Sequence, residues 1–212
     1  MYTSKSVRDY VLSTAAREPV PGGGSVAALA AALGAALMSM VCNFTAGNPK
    51  YAAVEPEIQR ILAGAEALRE KLLRLVDEDT QVYAKVTAAY KLPRGTDDEK
   101  SARRAAIQDA LVAAAEVPMS IARAARDVAL LCRDLVGIGN PNLVSDVGVG
   151  VLLAEAALRG AALNVEINAA SIKDAALAGQ LRSFLAAALP EVAGIKEEVM
   201  AKTMAVIAGG AG

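Results

Sequence analysis

The sequence has no histidine and no tryptophan, and aromatic residues make up only 3% of it. Without histidine the chain cannot build a Ser-His-Asp or Cys-His nucleophilic site, an HExxH zinc site or the Glu-x-x-His motif of di-iron bundles. Any proton transfer falls to Asp, Glu, Lys or Tyr. Cysteine is nearly absent. Cys42 and Cys132 show no CxxC spacing and sit in apolar helical contexts, as expected for small core residues of a reduced, cytoplasmic protein. An excess of one charge is missing too, because 22 basic residues oppose 23 acidic ones in a mixed pattern. Binding to nucleic acid or to an anionic membrane through bulk charge is therefore not expected. The first twenty residues carry Lys5, Arg8, Asp9, Arg17 and Glu18 with no apolar stretch, so no signal peptide is read there.

Alanine-rich helical sequence fills the space these absences leave. The 212 residues suit one domain over 1–212. The periodicity predicts helices over 4–16, 24–46, 55–91, 97–136 and 144–168, with a final pair over 174–188 and 190–208. Pro118 is expected to kink or split the fourth and Pro190 to divide the last pair. Asn48-Pro49, Lys91–Gly95 and Gly137–Asn142 are the breaks, and Thr96 with Glu99 forms a candidate capping box. The predicted fold is all-α: a helical bundle of long antiparallel helices around a buried Ala/Gly-rich helix. The run Val26–Cys42 approaches transmembrane length, but its alanine content and amphipathic neighbours favour a buried central helix over a bilayer span.

The sharpest local signal is Pro21-Gly22-Gly23-Gly24-Ser25, entering that small-residue helix. Ser25 is the expected N-cap, and the first-turn N–H groups would face a ligand or a neighbouring helix. The turn lacks the GK[ST] of a P-loop and follows no strand, which argues against a nucleotide site.

Three polar groups interrupt apolar stripes. Asp79 lies on the stripe Leu68, Leu72, Leu75, Val82, Val86, where it needs a ligand or a cationic partner such as Arg104. Asp146 and Asn164 share a face of the segment 144–168, with Asn168 one turn further on. Eighteen residues separate Asp146 from Asn164, roughly 27 Å of helix, so in one chain both cannot touch one small reacting group. They serve two ends of a long ligand, sites assembled across a dimer, or simple capping (Asp146) and inter-helix hydrogen bonding (Asn164, Asn168). Glu66, Glu70 and Asp77 read as solvated or ion-paired, and no metal site is expected.

Taken together, Pro21–Ser25 with its helix, Ser39–Thr45, Tyr90–Arg94, Asn140–Asp146 and Ala162–Asn168 resemble the cyclodeaminase/cyclohydrolase family of helical folate enzymes. That family occurs freestanding and as the C-terminal domain of formiminotransferase-cyclodeaminase. The resemblance implies a homodimer with folate bound in clefts near the subunit contact, and no cofactor beyond the tetrahydrofolate substrate. The freestanding length and the Lys91–Lys100 stretch look most like methenyltetrahydrofolate cyclohydrolases. The alternatives are a formiminotetrahydrofolate cyclodeaminase and a folate-binding protein without turnover. On this resemblance Asp146, then Asp79, are the candidate bases, with Lys91 or Tyr90 relaying a proton. Gly22, Gly23, Gly24, Ser25, Asn43, Asn140, Asn142, Asn164 and Asn168 are candidate substrate contacts, and Arg94 and Arg104 candidate partners of an anionic tail.

Overall fold

The computed structural model describes residues 1–209. Six α-helices run α1 Val7–Ala15, α2 Gly23–Asn43, α3 Glu55–Tyr90, α4 Asp97–Leu135, α5 Val144–Ala169 and α6 Ala175–Gly209, with short 3₁₀ turns at Pro49–Val54 and Pro141–Leu143. There is no strand among the described residues. The bundle is antiparallel. Arg60 on α3 pairs with Asp134 on α4, while Tyr90 meets Arg103 at the other end of that hairpin. Glu166 pairs with Arg182 and Glu155 with Lys196 between α5 and α6.

α2 is the central helix, packed by α3, α4 and α5. Ala28, Ala31, Ala35, Met38 and Val41 along it are fully buried. Small side chains let α5 lie close and antiparallel to it: a Cβ on Gly34 would stand 3.1 Å from the Gly150 carbonyl oxygen, and Gly160 faces Ala27. α2 and α4 are long and apolar enough to cross a membrane, but most of the apolar window of α2 is buried inside the bundle. The two cysteines are buried, and burial pushes the Cys42 thiol up to about 11 and the Cys132 thiol higher still.

Two expectations about proline fail. α4 runs unbroken through Pro118 and α6 through Pro190. A proline inside a helix removes an N–H and orphans the carbonyl four residues earlier, a cost of about 3 kcal/mol if nothing compensates. At Pro118 that carbonyl belongs to Ala114, and the Asn168 side-chain amide of α5 donates to it at 3.1 Å. Tertiary contact thus supplies the hydrogen bond that the sequence removes. No comparable donor is found at Pro190 among the described residues.

The capping expectations divide. Thr96 and Glu99 form the full capping box of α4. Ser25 is not an N-cap: Gly22 holds that position with no side-chain hydrogen bond, and Ser25 is the third helical residue. Its buried hydroxyl instead donates to the Val76 carbonyl and meets the Tyr10 hydroxyl at 2.9 Å. Asp146 does not cap α5 either, since Leu143 is the N-cap residue and no side chain caps it. Asp77 is neither solvated nor ion-paired. It is buried and accepts the Tyr2 and Thr3 backbone N–H groups and the Thr3 hydroxyl, tying the N-terminal segment to α3.

Candidate active site

A cleft of about 460 Å³ opens between α3, α4, α5 and the turn that starts α2. Gly22, Gly23 and Gly24 form its floor at one end. Asp79, Val82, Tyr83, Val86 and Tyr90 line it from α3, Leu111, Ala114, Val117 and Pro118 from α4, and Asn164, Ile167 and Asn168 from α5. The α3 contribution follows helical spacing, so the sequence stripe through Asp79 does face a ligand-sized space.

Asp79 has no cationic partner among the described residues, so the proposed ion pair with Arg104 is absent. Its Oδ2 accepts the Ser25 N–H at 2.9 Å, and the carboxylate lies against the first turn of α2. A Cβ on Gly24 would come within 2.7 Å of the Asp79 Cγ, so only glycine leaves room for the carboxylate. Burial pushes the Asp79 pKa above its ordinary value, opposed by the Ser25 N–H, which favours the charged form. The result is a half-buried carboxylate poised to accept a proton nearer neutrality than a free aspartate.

The two asparagines are held through their amide nitrogens by main-chain carbonyls. Asn164 Nδ2 donates to the Gly160 carbonyl at 2.9 Å, and Asn168 Nδ2 donates to the Ala114 and Asn164 carbonyls. Their amide oxygens remain as acceptors beside the donors of the α2 N-terminus. The cleft thus offers acceptors, helix-terminus donors, one carboxylate and an apolar wall that includes two tyrosines, a set suited to a flat, polar-edged ring system.

The residues named from sequence separate into two groups. Gly22, Gly23, Gly24, Asp79, Tyr90, Asn164 and Asn168 converge on the cleft. Ser25 lies beneath it, as a support rather than a lining residue. Asn43, Asn140, Asn142 and Asp146 collect at the opposite end of α2 and α5, where the Asn140 N–H donates to Thr45 Oγ1 at 3.0 Å. Asn140 also accepts the Asn142 N–H, capping the 3₁₀ turn. Lys91 and Arg94 lie in the exposed α3–α4 connection and Arg104 is exposed on α4; none of the three lines the cleft. Sequence reasoning missed Tyr83 and Pro118 as lining residues, although Tyr83 falls one turn beyond Asp79 and was findable by spacing.

Another cavity, about 540 Å³ between α1, α2 and α3, is lined by Tyr2, Val7, Tyr10, Val11, Val26 and Leu29 among others and has little polar lining. Lys5, Tyr2, Tyr10, Thr3 and Thr14 are its polar lining, and no carboxylate lines it.

The fold is an all-helical bundle whose cleft gathers helix-terminus donors, amide acceptors and one carboxylate, Asp79. The chain belongs to the formiminotransferase-cyclodeaminase family, whose model matches residues 6–187. It is 41% identical over 199 residues to a methenyltetrahydrofolate cyclohydrolase of Methylorubrum extorquens, covering 94% of this chain and 96% of that protein. It is 34% identical over 186 residues to the formimidoyltransferase-cyclodeaminase of Rattus norvegicus, covering 88% of this chain but only 34% of that longer protein. The crystal structure of a formiminotetrahydrofolate cyclodeaminase from Thermotoga maritima superposes with a TM-score of 0.79 at 32% identity, covering 99% of this chain and 98% of that one.

Proposed function

We propose that this chain is a methenyltetrahydrofolate cyclohydrolase, converting 5,10-methenyltetrahydrofolate and water to 10-formyltetrahydrofolate. The observation that carries the reading is the near full-length similarity to the Methylorubrum cyclohydrolase together with the raised Asp79 carboxylate in a ligand-sized cleft. The substrate is an amidinium cation shared by N5 and N10, so its bridging carbon is already electrophilic. A carboxylate beside that carbon stabilises the cation and accepts a proton from the attacking water. The water oxygen becomes the formyl oxygen, the bond from carbon to N5 breaks, one water proton ends on N5 and the other leaves to solvent. The asparagine oxygens of Asn164 and Asn168 accept from the pterin N–H groups, and the α2 N-terminus donates to its acceptor edge.

The active form in this reading is a homodimer. Val149, Leu152, Leu163 and Ile167 make one exposed apolar stripe along α5. An antiparallel pairing of this stripe with its own copy, about a two-fold near Ala157, would set Asp146 of the partner subunit beside Asn168. The two separated groups of polar residues then meet in one cleft, with Asp79 as base and the second carboxylate supporting the cation.

Loss of methenyltetrahydrofolate absorbance, measured against spontaneous hydrolysis with no metal added, tests the activity. Acceleration supports it. Ammonia release from 5-formiminotetrahydrofolate in its place would assign the cyclodeaminase reaction, and binding of either folate without turnover would leave a folate-binding protein.

A further inference from the structure

Ile107 and Arg103 continue the cleft-facing stripe of Pro118, Ala114 and Leu111 toward the N-terminus of α4, at spacings of three and four residues. Arg103 thereby reaches the rim at Tyr90. Its guanidinium stacks on the Tyr90 ring, 5.8 Å from the centroid, and Nη2 donates to the Tyr90 carbonyl at 3.0 Å. The Nε–H is buried and meets no acceptor among the described residues. A buried, unsatisfied donor on a charged group calls for a partner.

The helix would ordinarily supply one. Glu99 lies four residues before Arg103, the spacing of a helical ion pair. Its carboxylate is instead engaged by the Gly95 and Thr96 N–H groups at 2.7 and 3.0 Å, as part of the capping box. No carboxylate lies within ion-pair distance of Arg103 among the described residues; Arg8, Arg17, Arg74, Arg94 and Arg104 share that condition, and Arg103 differs from them in its contacts with Tyr90 of the cleft. Arg103 does not itself line the cleft; Tyr90 holds it at the rim, with Nη2 engaged by the Tyr90 carbonyl, Nε buried beneath, and Nη1 the nitrogen left accessible to an anion.

Asp79 and Tyr90 are eleven residues apart on α3, about 16 Å of helix, close to the length of a folate from ring to tail carboxylate. We infer that Arg103, stacked on Tyr90, is the specificity-determining anchor for the carboxylate of the substrate's aminobenzoylglutamate arm, and that the reacting ring lies at the Asp79 end. This inference rests on the proposed cyclohydrolase reading and gives the cleft its direction. Arg103, rather than Arg94 or Arg104, holds the tail.

The test compares 5,10-methenyltetrahydrofolate with the tail-less 5,10-methenyltetrahydropteroate. The unaltered protein should favour the tailed substrate in kcat/KM by about tenfold or more. Arg103→Gln should raise KM for the tailed substrate by a similar factor, leave kcat within about twofold, and leave the tail-less substrate unaffected. Arg103→Lys should retain part of the preference, because it keeps the charge and loses the fork. A tail preference that survives Arg103→Gln, or an equal loss on both substrates, overturns the inference. If the unaltered protein turns over neither substrate, the proposed function fails first. Calorimetric binding of p-aminobenzoylglutamate to the unaltered protein and to Arg103→Gln then still reads the anchor: equal affinities overturn it, and affinity lost in the variant supports it.

Discussion

Gly24 and Asp79 share a space that admits a carboxylate or a methyl group but not both. The first turn of α2 and the middle of α3, 55 residues apart in sequence, are fitted to each other at this contact. Gly24→Ala, tested for turnover of methenyltetrahydrofolate and for thermal unfolding, should force the carboxylate away, because its Cβ would stand 2.7 Å from the Asp79 Cγ. Alanine itself favours helix over glycine by about 1 kcal/mol, so the fold should survive while turnover drops at least tenfold. Unchanged turnover would remove Asp79 from the chemistry.

Asp79→Asn keeps an acceptor for the Ser25 N–H and removes the charge. Since burial raises the Asp79 pKa in the folded state, the native protein holds that proton more tightly than the unfolded chain. The stabilisation from protonation is complete below the unfolded value and is lost as pH rises through the folded one. Asparagine mimics the protonated form, so the variant should melt higher than the unaltered protein at neutral pH, with the gain vanishing at acid pH. The unaltered enzyme's kcat/KM should rise with pH through an ionisation above the ordinary aspartate range, and the variant should show neither that limb nor more than a small residue of the activity. A melting curve equal to the unaltered protein's at every pH would contradict the raised pKa.

Mixed dimers test whether Asp146 works across the subunit contact. Asp79→Asn and Asp146→Asn should each be nearly inactive alone. Co-expressed, they should form heterodimers in which one cleft pairs an intact Asp79 with an intact Asp146 of the partner subunit. Random mixing then restores about a quarter of the unaltered activity. No recovery in a preparation shown to contain heterodimers would sink the shared cleft, and full activity of Asp146→Asn alone would reduce that residue to helix-end polarity.

Asn168→Ala tests the contact that lets α4 pass through Pro118. Removing the side-chain amide leaves the Ala114 carbonyl, already without its helical donor, unpaired in a buried setting. Stability should fall by about 1–3 kcal/mol in denaturant unfolding. In the double variant with Pro118→Ala the helix supplies its own N–H, and most of that loss should disappear. An additive pair of effects would show that the amide and the proline are unconnected.

Much of this was legible in the sequence, and the exceptions share a cause. Helix placement followed from alanine content and from Pro49, Pro93 and Gly137–Asn142, and the Thr96–Glu99 box is wholly local. Pro118 misled because a proline's local cost is visible, whereas a donor arriving from another helix is not; α6 runs through Pro190 without such a donor among the described residues. Asp79 was correctly singled out as misplaced on its stripe, yet its partner is a backbone N–H 54 residues away rather than a cation. Arg103 and Arg104 are neighbours in sequence, separated by about 100° around the helix. Only the position of Tyr90 distinguishes them. The remote position of Asp146 was readable from rise per residue alone; what it meets is not a property of one chain.

The close approach of Gly34 to the Gly150 carbonyl acts as a fulcrum. From that crossing α2 extends eleven residues to Gly23, a lever of about 16 Å. A bulkier side chain at the pivot would tilt α2 against α5, and the displacement would be largest at the glycine turn and Asn164. A side chain added there meets the Gly150 carbonyl at 3.1 Å, and Ala27 and Gly160 form a second contact closer to the cleft, so the spacing of α2 and α5 is fixed in the dry interior and not by any group that lines the cleft.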